Sequence, residues 1–115
     1  MEYLRVNALK SVEVPVSASG FWDILIDWGA LMDWMPKLDE NPPALVSGCE
    51  VLPGHSLDNL PLTRRVYLEN DGVGPAYLDE TLQHFDAETR RLHYTSGGVG
   101  PGGVRNYHAT TFVDA

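Results

Sequence analysis

Cysteine is nearly missing from this chain: Cys49 is its single copy in 115 residues. That excludes an internal disulfide framework and suits a reducing, cytoplasmic setting. Basic residues are scarce as well. Lys and Arg number 8 against 16 Asp and Glu, a formal net charge of −8. A surface of that sign repels phosphate backbones, and Arg64-Arg65 and Arg90-Arg91 are too short to make basic patches. Nucleic acid and anionic membrane surfaces are therefore not expected as partners. Long apolar runs are lacking too. None approaches the ~20 residues needed to span a bilayer, and Met1 to Lys10 carries charge without the apolar stretch of a signal peptide. The expectation is a soluble cytoplasmic protein without membrane insertion.

What is present can build a core. Hydrophobic residues make up 43% of the chain, with 3 Trp, 5 Tyr and 3 Phe, which argues against disorder. The length fits one domain over residues 1–115. A domain of this size has few packed contacts to spare if it also encloses a hollow.

Alternation of apolar and polar residues marks most of the elements. Tyr3 to Val16 reads as a strand, with Leu4, Val6, Ala8 and then Val12, Val14, Val16 on even positions. Ser17 or Ser19 can cap a helix through Phe21 to Trp28, whose Trp22, Leu25 and Ile26 share a face. Gly29 breaks it, and a second short helix over Ala30 to Trp34 stops before Pro36. Pro36 to Pro61 is rich in loop residues, with a strand expected within Ala44 to Leu52. Strands follow over Leu62 to Glu69, Ala76 to Phe85, Arg91 to Ser96 and Val104 to Val113. Asn70-Asp71-Gly72 and Asp86 to Thr89 are turn signals, and Gly97 to Gly103 reads as a flexible hairpin loop. A helical segment inserted near the start of a run of strands indicates α+β with one antiparallel sheet.

Some strand faces mix apolar and polar types. Arg64, Val66 and Leu68 share a face, as do Leu78, Glu80, Leu82 and His84, then Leu92 and Tyr94, then Tyr107, Ala109, Thr111 and Val113. If all point inward, Arg64, Glu80, His84, Tyr94 and Tyr107 are polar heads in an apolar interior. Unpaired, each would cost ~1–3 kcal/mol, more for charges. Two arrangements resolve this: a ligand pocket that satisfies them, or a solid core in which Arg64 pairs with Glu80 and the tyrosines reach solvent.

Asp27 to Pro36, ending in Trp34-Met35-Pro36, resembles a family pattern of an acidic residue, a short turn and Trp-x-Pro. Val14 to Trp22 is similar to the same family's approach to its first helix. Arg64 with Val66, Leu68 and Gly72, Glu80-Thr81-Leu82 with Asp86, Leu92-His93-Tyr94 and Asn106-Tyr107 with Ala109 resemble its later strands. The family is the START/Bet v 1-like (SRPBCC) superfamily of polyketide cyclases and lipid-transport proteins, and the likeness runs from about Val12 to Val113. It implies a helix-grip fold: a curved antiparallel sheet, two short helices after the first strand, and a long C-terminal helix. Ala115 falls just after what reads as the sixth strand, so the family's last strand and long helix are expected to be missing from this sequence. A concave apolar face left open in this way would favour a homodimer.

The resemblance implies binding or transport of a hydrophobic small molecule, such as a lipid, sterol or polyketide, between sheet and helices. Trp22, Trp34, Arg64, Glu80, Leu82, His84, Tyr94 and Tyr107 are the candidate lining residues. An aromatase/cyclase with Glu80, His84, Arg64 and the tyrosines as acid–base groups is the alternative, and a protein-interaction domain is a second. No cofactor and no metal are expected. His84 is placed opposite His93, leaving only His93 and His108 as possible neighbours on the outer face. Cys49, between Gly48 and Glu50, lacks the surroundings of a nucleophile, and the glycine run lacks the Lys-Ser/Thr of a P-loop.

Overall fold

Five strands follow one another as a simple antiparallel meander, β1 (Val46–Val51), β2 (Leu62–Leu68), β3 (Tyr77–Asp86), β4 (Arg91–Val99) and β5 (Arg105–Phe112), paired in sequence order. The computed structural model describes residues 4–34, 46–69, 76–99 and 104–115. Before the sheet come one α-helix, α1 (Ala18–Ile26), and a single 3-10 turn, Leu31–Asp33. The architecture is α+β with one antiparallel sheet.

Helix α1 starts where the cap chemistry allows it. Ser17 is extended, and its Oγ accepts from the Gly20 N–H at 3.1 Å. This satisfies one of the donors left over at a helix start. Ser17→Ala is expected to lower stability by ~1 kcal/mol, read as a shifted urea midpoint. The helix ends at Asp27, and the chain turns through Trp28 and Gly29, closed by Ala30 N–H donating to the Asp27 carbonyl at 3.0 Å. Gly29 is required there: a Cβ would lie 2.8 Å from Val51 Cγ2. The second helix expected over Ala30 to Trp34 is a single 3-10 turn over Leu31–Asp33, with Ala30 and Trp34 as its caps.

The strand expected over Tyr3 to Val16 is not there: residues 4–14 have no regular structure and no sheet pairing, and Tyr3 lies outside the described residues. Leu4 is 88% exposed and Leu9 91%. Alternation sets which face a strand would bury, but a strand also needs a partner for its backbone, and neither sheet edge supplies one here. The Asn70 to Gly72 turn and positions 100–103 of the glycine loop also lie outside the described residues. Gly97 and Gly98, expected in that loop, belong to β4, with Gly98 at φ 74°.

One sheet face carries the core. Trp22 and Trp28 pack with Leu62, Leu82, Leu92 and Val113, joined by Phe21, Leu25 and Ile26 from α1. A second cluster joins Leu31 to Val46 and Val66, with Met32, Cys49 and Leu68 against it. The opposite face is polar. Arg65 donates from Nε and Nη2 to both Asp79 carboxylate oxygens at 2.9 and 3.0 Å, and its guanidinium lies 4.2 Å from the Tyr77 ring centroid. Tyr67 donates to Glu50, and Thr63 bonds Thr81 hydroxyl to hydroxyl at 2.9 Å.

His84 is a correction. The register slips between Leu82 and His84, so Gln83 and His84 together face His93 on β4. A bulge of this kind restarts the alternation. Phe85, not His84, turns into the core, and His84 is exposed on the outer face, the same side as His93. His93 and His108 are neighbours there, with ring centroids 5.6 Å apart, and His93 Nδ1 bonds Thr110 Oγ1 at 3.0 Å.

Candidate functional site

A line of side chains crosses the core face of the sheet. The pairings Val51 with Arg64, Arg64 with Glu80, Glu80 with Ser96 and Ser96 with Tyr107 place one residue from each strand in a continuous row. Directly opposite partners are the closest neighbours a sheet offers, so side chains along such a row can interact in series. One end is closed and the other open. Arg64 is 6% exposed, whereas Tyr107 is 44% exposed, with Glu80 and Ser96 half-buried between them.

At the closed end each guanidinium nitrogen of Arg64 has a partner. Nε and Nη2 donate to Glu80 Oε1 at 2.9 and 2.8 Å, and Nη1 donates to the Trp28 carbonyl at 3.3 Å. The guanidinium lies 3.5 Å over the Trp28 ring, and Trp28 Nε1 donates to the Glu80 carbonyl at 3.1 Å. Trp28, Arg64 and Glu80 thus form a closed loop of contacts. It combines a charge-assisted pair, cation–π stacking and side-chain hydrogen bonds to two backbone carbonyls. The turn after α1 exists to deliver Trp28 to this place.

Aromatic rings continue the row toward water. The Tyr94 ring centroid is 5.2 Å from that of Trp28 and 6.0 Å from that of Tyr107, tilted at 59° and 45°. Burial, then the neighbouring Glu80 carboxylate and the hydrogen bond with Tyr107, push the Tyr94 phenol well above its ordinary value of 10.0. The folded state therefore favours neutral Tyr94. That contribution is complete below the unfolded value and is lost as pH rises past it. Stability is expected to fall above pH ~10, more steeply than in Tyr94→Phe, in urea titrations across that range. Burial also raises the Cys49 thiol, more than Arg64 lowers it, which fits a half-buried packing residue rather than a nucleophile.

The expected site residues separate into groups. Arg64, Glu80, Tyr94 and Tyr107 come together. Leu82, 0% exposed, lies in the core beside Tyr94, its cross-strand partner. Trp22 is buried in the same core, Trp34 is 45% exposed after the 3-10 turn, and His84 faces away. Of the two arrangements left open by the sequence, the Arg64–Glu80 pair is present, and the tyrosines are half-buried or exposed beside it. Trp28 and Ser96 were not anticipated. Ser96 shares parity with Leu92 and Tyr94, which is a usable signal. Trp28 next to Gly29 is a second, since glycine beside a large aromatic marks a close approach.

Among the described residues no group of three or more His, Cys, Asp or Glu is placed to hold a metal ion, and no helix is long and apolar enough to cross a membrane. No family model, curated protein or solved structure matches the chain.

Proposed function

We propose that this domain binds a hydrophobic small molecule against the core face of its sheet, at the open end of the cross-strand row. The observation that carries this reading is the row itself. It runs from a buried Arg64–Glu80 pair, through Ser96, to a Tyr107 half open to water, flanked by the Trp28 and Tyr94 rings. Apolar walls with a few convergent polar groups are the usual make-up of a small-molecule site. The resemblance of the strands and of the Trp34-Met35-Pro36 segment to START/Bet v 1-like proteins points the same way. Register slips in β1–β2, β3–β4 and β4–β5 support the curvature that a helix-grip sheet requires.

An acid–base role is less well supported. Glu80 Oε1 is occupied by Arg64, and Tyr94 is held protonated, so it serves as a donor and not as a base. The test is twofold. Native mass spectrometry of freshly purified protein should show a retained small-molecule mass, and the uncharged fluorophore Nile red should brighten on binding, less so with Tyr107→Ala. A bare mass together with unchanged Nile red emission at excess protein would sink the reading.

A further inference from the structure

Building on that binding reading, we infer that the row selects an uncharged ring compound bearing a hydroxyl group and rejects its carboxylate counterpart. The reason is the order of groups met from the open end: Tyr107, then Ser96, then Glu80, and only behind it Arg64. A fatty acid or other carboxylate needs a cation or a cluster of donors at its head. The Arg64 guanidinium on this face already has a partner for each of its nitrogens. Two of its nitrogens bond Glu80, the third bonds the Trp28 carbonyl, and its flat side is covered by the Trp28 ring. A ligand carboxylate lodged at Ser96 would lie beside the Glu80 carboxylate, in a half-buried place where like charges repel more strongly than in water. Arg105, two positions from Tyr107, is exposed at the start of β5, where water and salt screen it.

A hydroxyl suits the same place. It can give its proton to Glu80 and accept from Ser96 or Tyr107, which matches each group in the row to a partner. Tyr94, hydrogen-bonded to Tyr107 and held neutral, adds no charge beside it. The body of the molecule is set by the rings. Tyr94 and Tyr107, with ring centroids 6.0 Å apart, form a tilted aromatic wall backed by the buried Trp28 ring 5.2 Å behind Tyr94, which favours a flat or fused-ring skeleton over a flexible chain.

Three matched probes test this on the intact protein: 1-pyrenemethanol, pyrene and 1-pyrenecarboxylate, titrated by pyrene emission at low salt. The alcohol should bind at least ~10-fold more tightly than the carboxylate, with the parent hydrocarbon between them. Glu80→Gln should narrow the gap between alcohol and carboxylate. Should that variant fail to fold, Ser96→Ala should weaken the alcohol and leave pyrene unchanged. A carboxylate that binds as tightly as the alcohol, or an alcohol no better than pyrene, overturns the selectivity while leaving the binding reading intact. If none of the three binds, the binding reading fails, and the selectivity with it.

Discussion

Arg64→Met is expected to lower stability by ~3–5 kcal/mol, enough to move the urea midpoint far toward zero denaturant. The loss follows from what the substitution leaves behind. The Glu80 carboxylate would keep its half-buried place without its cation, the Trp28 carbonyl would lose its donor, and the Trp28 ring its stacked partner. Arg65→Met is the control. Arg65 also pairs bidentately with a carboxylate and lies over an aromatic ring, but on the solvated face, where such pairs contribute little. Its midpoint should hardly move. The double variant Arg64→Met/Glu80→Leu should recover much of the loss, because no orphaned charge remains and the space is filled with apolar volume. Equal, small shifts for Arg64→Met and Arg65→Met would show that the Trp28–Arg64–Glu80 loop is not what holds the turn after α1 to the sheet.

Leu82→Ala should cost ~2–5 kcal/mol, the range for emptying a well-packed leucine site. Among the described residues Leu82 is the one large side chain with 0% exposure, and it sits where the helix side of the core meets the middle of the sheet. Trp22 and Trp28 above it are rigid rings, and β2 and β4 beside it are fixed by their ladders, so the site collapses poorly. Small domains carry only ~5–15 kcal/mol in total, so the variant should lose a large share of its stability and unfold at much lower denaturant. Near-ultraviolet circular dichroism of the tryptophans and the urea midpoint report it together. Leu82→Met, which nearly preserves volume, should cost less than ~1.5 kcal/mol. Leu57→Ala, at an exposed position, should be silent.

The elements most legible in the sequence were those with a local cause. Ser17 before an apolar helical face, the turn after Asp86, and the alternation in β2 and β5 each leave a mark within a few residues. The strand predicted over Tyr3 to Val16 failed because alternation describes a surface and not a pairing. His84 failed for a related reason. Parity counts correctly until one extra residue enters a strand, and nothing in Leu82-Gln83-His84 announces that Gln83 is extra. That same parity count put Arg64, Glu80, Tyr94 and Tyr107 on one face, and they do share it. Whether Arg64 would be paired could not be read from type alone. It depends on a register that sets Arg64 opposite Glu80, and on a tryptophan contributed from 36 residues earlier in the chain.

The cross-strand row has a thermodynamic corollary. Val51, Arg64, Glu80, Ser96 and Tyr107 are donated singly by β1, β2, β3, β4 and β5, so any excised hairpin holds no more than two of them. Affinity for a molecule gripping that line is then a property of the whole zippered sheet. Each tenfold rise in its free concentration above the dissociation constant should add ~1.4 kcal/mol to the global unfolding free energy, and none of it should accrue to a fragment.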